Sequence, residues 1–308
     1  MRRADADVYY HNCGECVTGQ IALWCRRNRK AFVFSSANDT DCDPALPDLK
    51  SLGERVLYRY GLRRANARIV QTETQRLRLR AEFGLDAVTI PMPCRGASEE
   101  DFAQREHPGS GRVLWIARLT RQKRPDRFLD LAQASPALQF DFVGPTFTEP
   151  YAQAVREHSQ AMCERAKTMS NVTVYGALPR ERVADLYRRA SLLCCTSDYE
   201  GFPNTFLEAW SYGIPVVSTI DPDGVITRWQ LGIVAKSVPE LRDAIRFLLG
   251  SPQQYGEMSR NARKYYVENH TIAASLPKCE DVFRRTVLET RQVCHSHEFP
   301  GISRTATR

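Results

Sequence analysis

The sequence of 308 residues lacks several features, and each absence excludes a class of protein. No apolar run approaches about 20 residues, the length that a transmembrane helix needs. The start, MRRADADVYY, is basic but has no apolar stretch, so it does not match a secretory signal peptide. We therefore expect a cytoplasmic protein whose ten cysteines are thiols, because a reducing compartment disfavours disulfides.

Motifs for metals and for phosphate-binding loops are also scarce. Cys13 and Cys16 have the spacing of a metal or redox pair, but Cys25 and Cys42 are poorly placed to complete a zinc site. No acidic cluster suggests a metal site. The GSG at 109–111 precedes a predicted strand instead of following one, and no Walker-type loop is present. We expect neither a metal nor a resident cofactor.

The net charge of +7 is concentrated in one segment of the chain. Between Arg55 and Arg80 there are eight arginines and a single acid, Glu73. Arg55, Arg59 and Arg63 would share one helix face. Such a face fits either peripheral contact with the inner membrane surface or an acidic acceptor, or it is simply solvated. Aromatic residues are not interleaved with the arginines as in nucleic-acid readers, so we expect no nucleic-acid partner.

From about residue 112 the sequence alternates between strands and helices. The apolar content of 43% is sufficient for substantial cores. Strands are predicted to begin near Arg112, Gln139, Asn171, Leu192, Pro215 and Gly232, with helices near 125–134, 149–169, 180–190, 204–212, 238–249, 252–268 and 273–291. This alternation predicts an α/β fold with a doubly wound parallel sheet.

The front of the chain contains fewer predicted strands. Four candidates are found, at 7–10, 31–35, 68–71 and 87–90. A complete Rossmann-like domain has about six strands, so we expect a truncated first domain followed by a complete second one. The predicted division is 1–107 for the first domain, 108–276 for the second, 277–294 for a C-terminal helix that returns to the first domain, and 295–308 for a flexible tail.

The most informative segment is EGFPNTFLEAWSYGIPVVS at 200–218. It places Glu200 in a loop and Glu208 on the helix that follows. Between them lie the residues of a tight turn and of a helix start, namely Gly201, Phe202, Pro203, Asn204 and Thr205. Asn and Thr satisfy free N–H groups at helix starts. Backbone N–H groups there can hold phosphate oxygens, and carboxylates can accept hydrogen bonds from sugar hydroxyls.

A second segment, RVLWIARLTRQKRPDRFLDLA at 112–132, carries two cations after a predicted strand. Arg118 and Lys123 lie just beyond the carboxyl end of that strand, where open α/β sheets bind ligands. Arginine offers a planar fork to phosphate oxygens, and lysine offers a point charge. We expect Arg118 and Lys123 to face a ligand there, and Arg121 and Arg124 to be solvated.

Together the two segments resemble the retaining glycosyltransferases of family 4, which have the GT-B fold of two Rossmann-like domains. The family has two glutamates separated by seven residues, matched here by Glu200 and Glu208. It also has an arginine and a lysine that clamp the donor diphosphate, matched by Arg118 and Lys123. The resemblance implies that Glu200 meets hydroxyls of the donor sugar and that Glu208 meets the ribose.

In the first domain the resemblance is weaker. DVYYHNC at 7–13 is similar to the family's strand whose end carries a histidine near the transferred sugar, which implies that role for His11. The family's opening strand and glycine-rich loop have no counterpart. The implied partners are a nucleotide-diphospho-sugar as donor substrate and a glycan or lipid-linked acceptor.

The expected reaction is transfer of a sugar to an acceptor hydroxyl, with retention and without a metal. Cations and a helix N-terminus can absorb the charge that grows on the leaving diphosphate. Two alternatives remain open. One is a non-catalytic remnant that binds nucleotide sugars, which the missing front strands favour. The other is a sugar-nucleotide epimerase on the same two-domain fold.

Overall fold

The structure is a computed structural model that describes residue 1, residues 3–105 and residues 111–296, with side chains as far as residue 292. It is an α/β structure with two parallel sheets. The chain divides into two compact units, Met1–Pro91 with Ser275–Arg308, and Met92–Ala274. Most of the predicted tail, 297–308, lies outside the described residues.

The first unit contains the four strands that the sequence predicted. They pair in parallel in chain order and are β1 (Val8–Asn12), β2 (Ala31–Ser35), β3 (Ala67–Val70) and β4 (Val88–Thr89). The helices are α1 (Cys16–Arg27), α2 (Leu52–Arg64) and α3 (Glu73–Arg78), the last continued by a π-helical turn, Leu79–Phe83. Every residue of β2 is buried, as expected for a central strand with a continuous apolar run.

The second unit contains the six predicted strands in one parallel sheet. They are β5 (Arg112–Ile116), β6 (Gln139–Val143), β7 (Val172–Gly176), β8 (Leu192–Cys195), β9 (Val216–Ser218) and β10 (Gly232–Val234). The helices are α4 (Glu99–Ala103), α5 (Pro125–Gln133), α6 (Gln153–Lys167), α7 (Arg180–Arg189), α8 (Asn204–Ser211), α9 (Val225–Trp229), α10 (Val238–Gly250) and α11 (Pro252–Asn269). The sequence did not predict α4 or α9, which are short.

The strand order of this second sheet creates a switch point. The order is β10-β9-β8-β5-β6-β7, so the chain begins in the middle, moves to one edge, and then crosses over to build the other half. β5 and β8 are neighbours in the sheet, but the loop after β5 leads to one face of the sheet and the loop after β8 leads to the other. In open α/β sheets, ligands bind in the crevice that such loops leave at the carboxyl ends of the strands.

Side chains of β5 show how this sheet is covered on both faces. Val113 and Trp115 belong to one buried cluster and Leu114 to another, as the two-residue period of a strand requires. The Trp115 ring stacks on Phe142 at 4.9 Å and on Phe128 at 5.8 Å. Burial on both faces fixes β5 and therefore the start of the loop that follows it.

The segment between the two sheets packs on the second unit. Ala97 is part of a buried cluster of that unit, and Met92 and Cys94 pack against it. The Arg105 guanidinium donates to the Gly213 carbonyl at 2.9 Å. These contacts explain why the compact units divide after Pro91, whereas the sequence division was set later, between 107 and 108.

The last helix, α12 (Ile272–Ser296), runs on from the second unit into residues that belong to the first. Its Val282 joins a buried cluster with Val33, Ile69 and Ile90 of the first unit. The sequence predicted a helix over 273–291. Among the described helices of the protein, none combines the length and the apolar character that crossing a membrane requires.

Candidate active site

Two loops of the second unit are tied together where β5 and β8 end. The loop after β5 spans 117–124, and the loop after β8 spans 196–203. The Asp198 amide donates to the Gln122 carbonyl at 2.9 Å, and the Gln122 side-chain amide donates to the Tyr199 carbonyl at 2.8 Å. Side chains carried by the two loops are therefore held close to one another.

A buried threonine fixes the backbone of the first loop at Lys123. The Thr196 hydroxyl accepts a hydrogen bond from Trp115 Nε1 at 3.0 Å and donates toward the carbonyls of Lys123 and Arg124, at 2.8 and 2.9 Å. Thr196 is fully buried. Because losing buried hydrogen bonds of this kind would destabilise the fold, they hold the backbone of Lys123 in one position and so fix the Cα from which its side chain extends.

Lys123 and Glu200 form a direct ion pair across the two loops. Their side chains are 17% and 9% exposed, so water screens the pair less than it would at the surface. The Ser197 hydroxyl also donates to Glu200 Oε1, at 2.7 Å. The structure thus brings together two of the predicted site residues, and it adds Ser197, which the sequence analysis did not identify.

The other cations of the first loop differ in their surroundings. The Arg118 and Arg121 side chains are exposed. Arg124 was expected to be solvated, and that expectation is wrong. Its guanidinium pairs with Asp126 at 2.7 Å and with Asp198 at 3.3 Å. The reason is local geometry, because Asp126 is two residues further along the chain and Asp198 lies in the second loop, which is hydrogen-bonded to the first.

The turn before α8 is buried, and the helix start is uncapped. Gly201, Phe202 and Pro203 are buried, Asn204 is exposed and Thr205 is half-buried. The sequence suggested capping by Asn204 or Thr205, but Pro203 occupies the cap position and no side chain caps the helix. Amide N–H groups at such a start are available to an external acceptor, and the helix dipole favours an anion there.

Glu208, in the second turn of α8, is held by a tyrosine that the sequence analysis missed. The Tyr187 hydroxyl donates to Glu208 Oε2 at 2.8 Å. Both residues line a cavity of about 260 Å³ together with Arg95, Arg180 and Tyr212. Among the described residues, no hydrogen bond joins Glu208 to Lys123 or Glu200.

His11 lies in the first unit, near the carboxyl end of β1. Its Nδ1 is 3.2 Å from the Thr18 hydroxyl, which itself donates to the Cys13 carbonyl at 3.2 Å. Burial lowers the pKa of His11 below its ordinary value. The ring is therefore predominantly neutral at physiological pH.

The arginine-rich segment is largely used inside the first unit. The side chains of Arg55, Arg59, Arg68 and Arg78 donate to backbone carbonyls, and Arg76 and Arg80 pair with Glu73 and Asp86. Arg63 and Arg64 are exposed. Hydrogen bonds to carbonyls hold four of these guanidinium groups in place without neutralising them, and carboxylates pair with two of the eight. Contact with a membrane surface stays a prediction.

The described cysteines, nine in all, are free thiols. Burial raises the pKa of both Cys13 and Cys25 to about 11, so these two groups are poor nucleophiles at neutral pH. Within residues 3–105 and 111–292, no group of three or more His, Cys, Asp or Glu side chains is arranged to hold a metal ion.

Comparison with solved structures identifies the class of fold. The protein is similar to Anabaena HepE in complex with UDP and glucose, with a TM-score of 0.73 and 16% identity over 92% of this chain and 79% of that chain. The two parallel sheets of this chain fit the two Rossmann-like domains of the GT-B fold. The predicted fold class is confirmed.

Comparison of sequences identifies the family. Residues 97–265, more than half of the chain, match the family described as glycosyl transferases group 1, and the chain belongs to this family. It is 24% identical over 76% of its length to a D-inositol 3-phosphate glycosyltransferase of Gordonia bronchialis. It is 23% identical over 88% of its length to an alpha-D-kanosaminyltransferase of Streptomyces kanamyceticus. The chain spans 55% and 65% of the lengths of these two relatives.

Proposed function

We propose that the protein is a retaining glycosyltransferase that uses a nucleotide-diphospho-sugar and needs no metal ion. The observation that carries the proposal is the meeting of Lys123 and Glu200 where β5 and β8 diverge. That crevice is the place where open α/β sheets bind ligands. Membership of the glycosyltransferase family supports the transfer reaction, and the UDP and glucose in the Anabaena HepE structure support a nucleotide-sugar donor.

The difficult event is departure of the nucleoside diphosphate from the anomeric carbon. Negative charge grows on the leaving phosphate, and Lys123, Arg118 and the uncapped start of α8 are the groups proposed to receive it. A preorganised donor of this kind is worth about 3–4 kcal/mol in the transition state. Gly201, Phe202, Asn204 and Thr205 shape the turn and helix start on which the phosphates would rest.

Glu200 has two successive partners in this proposal. Without ligand its carboxylate neutralises Lys123. When the diphosphate binds, Lys123 gains a second anion, and Glu200 is released to accept hydrogen bonds from sugar hydroxyls. The acceptor hydroxyl then attacks from the face that the diphosphate leaves, and the leaving phosphate takes the proton. A flanking pair of carboxyl groups, as in glycosidases, is not required.

Further roles follow from the family resemblance. Glu208 would bind the ribose of the donor, and the acceptor would be a glycan or a lipid-linked sugar. His11 would lie near the transferred sugar. It is a separate proposal because it belongs to the other compact unit.

Calorimetric titration tests the diphosphate site. UDP, GDP and ADP are titrated separately into the wild-type protein, Lys123→Ala and Arg118→Ala. We expect Lys123→Ala and Arg118→Ala each to weaken binding of the nucleotide that the wild type binds most tightly by about 10-fold to 100-fold, as for loss of a hydrogen bond to a charged group. Arg121→Ala is the matched control, since Arg121 is an exposed arginine in the same loop. Unchanged affinity in Lys123→Ala contradicts the proposed site.

Turnover experiments separate the three candidate activities. Nucleotide sugars are incubated with the protein, with and without a glycan acceptor, and the products are followed by NMR. A product with the donor's anomeric configuration supports the retaining transferase, and an inverted product contradicts it. Tight binding without turnover indicates the non-catalytic remnant. An epimer formed without any acceptor indicates the epimerase.

A further inference from the structure

The tyrosine beside Glu208 has a geometry that restricts this carboxylate. Tyr187 is 2% exposed, and its ring stacks on that of Tyr212 with centroids 5.5 Å apart and planes 12° apart. A ring held in this way cannot turn aside, so its hydroxyl is a fixed point. It lies 2.8 Å from Glu208 Oε2. One oxygen of a flexible glutamate side chain is thereby anchored.

The direction of this hydrogen bond is also fixed. An ionised carboxylate can only accept, so the phenol donates. Burial, reinforced by the Glu208 charge, raises the pKa of Tyr187 well above its ordinary value, so the phenol keeps its proton. Glu208 Oε1 makes no hydrogen bond within the described part of the chain, and the side chain lines the cavity of about 260 Å³. A carboxylate with one oxygen anchored and one open is suited to accept from a ligand hydroxyl.

We propose that Tyr187 is a positioning residue that holds Glu208 for recognition of the donor's ribose hydroxyls. The inference rests on the proposed function, because it takes the ligand to be a nucleoside diphosphate. Tyr187 sets the orientation of the carboxylate that would contact the ligand, and thereby makes the protein prefer a ribonucleotide over a nucleotide without those hydroxyls.

The test compares a ribonucleoside diphosphate with its 2′,3′-dideoxy form. Whichever of UDP, GDP and ADP binds the wild-type protein most tightly is used, and both forms are titrated by calorimetry into wild type, Tyr187→Phe and Glu208→Gln. We expect the wild type to prefer the ribo form by about tenfold, consistent with one hydrogen bond to a charged group. Tyr187→Phe should lose most of that preference and keep its affinity for the dideoxy form.

The matched control is Tyr255→Phe. Tyr255 is another buried tyrosine of the same unit, and its hydroxyl donates to the Ser191 carbonyl at 2.7 Å instead of to Glu208. This variant should keep the preference for ribose.

The outcomes distinguish the inference from the proposed function. If Tyr187→Phe keeps the full ribose preference, or if it weakens both ligand forms equally, Tyr187 has no positioning role. If Glu208→Gln keeps the preference, or if no nucleoside diphosphate binds the wild type, the assignment of Glu208 in the proposed function fails instead. Glu208→Gln leaves the Tyr187–Tyr212 stack in place, so this second variant remains informative should Tyr187→Phe fold poorly.

Discussion

Replacing Glu200 by glutamine should have opposite effects on binding and on turnover. The carboxylate is the partner of Lys123 in the unliganded protein, and the donor diphosphate must compete for the same ammonium group. Two unit charges about 4 Å apart interact by about 4 kcal/mol at an effective dielectric constant of about 20. Partial exposure and dissolved salt reduce this to about 1–2 kcal/mol. We therefore expect Glu200→Gln to bind a nucleoside diphosphate about tenfold more tightly.

Transfer should become slower in the same variant, because glutamine cannot offer the charge that orients the sugar and stabilises its developing positive character. We expect a loss of about 100-fold in kcat. Binding is measured by calorimetry, and turnover by release of the nucleoside diphosphate. Asp198→Asn is the matched control, since Asp198 lies in the same loop but pairs with Arg124 and Arg127 at 3.3 and 2.9 Å. Weaker or unchanged diphosphate binding in Glu200→Gln would refute the competition between the two anions.

Two further predictions concern stability. Thr196→Val should lower the free energy of unfolding by about 1–3 kcal/mol, because it leaves Trp115 Nε1 buried without its acceptor, whereas Thr196→Ser should be close to wild type; chemical denaturation measures both. Burial lowers the pKa of His11 below its ordinary value of 6.5. The folded protein therefore binds that proton less tightly than the unfolded chain does. The free energy of unfolding should fall as the pH decreases through the interval between the unfolded and the folded pKa of His11. Denaturation at a series of pH values from about 5 to 8 measures this. The free energy of unfolding should decline less steeply with falling pH in His11→Gln than in the wild type, and equal slopes would contradict the shifted pKa.

Much of the fold could be predicted because the signals are local. LLCC at 192–195 and AFVFS at 31–35 are short apolar runs, and both form fully buried parallel strands. Helix α8 follows Pro203 and ends before Gly213, which has the left-handed backbone (φ 63°) that favours glycine. By contrast, α9 (Val225–Trp229) has only five residues, too few to produce a helical period.

The candidate site was only partly predictable, because its supporting contacts join residues far apart in the chain. Trp115 lies in β5 and bonds to Thr196 in the loop after β8. Tyr187, on α7, donates to Glu208 on α8. No spacing in the sequence encodes these pairs. Tyr187 occupies the buried face of α7, where an aromatic residue is ordinary core. Only the position of its hydroxyl, which depends on the tertiary structure, shows that it also holds a carboxylate.

Ser211, three residues after Glu208 on α8, shows the same limit, because its sequence position does not reveal its contacts. The Ser211 hydroxyl donates to the Glu208 carbonyl at 2.6 Å and accepts from the Ala97 amide at 2.8 Å. Because Ser211 is fully buried, loss of its hydroxyl should reduce stability.

A crystal structure of the protein with a nucleoside diphosphate, UDP first, tests the proposed donor site most directly. We expect the two phosphates in the crevice where β5 and β8 diverge, with oxygens within hydrogen-bonding distance of Lys123 Nζ and the Arg118 guanidinium. We also expect that Glu200 has left Lys123. Phosphates located elsewhere in the molecule, with the Lys123–Glu200 pair intact, would contradict it.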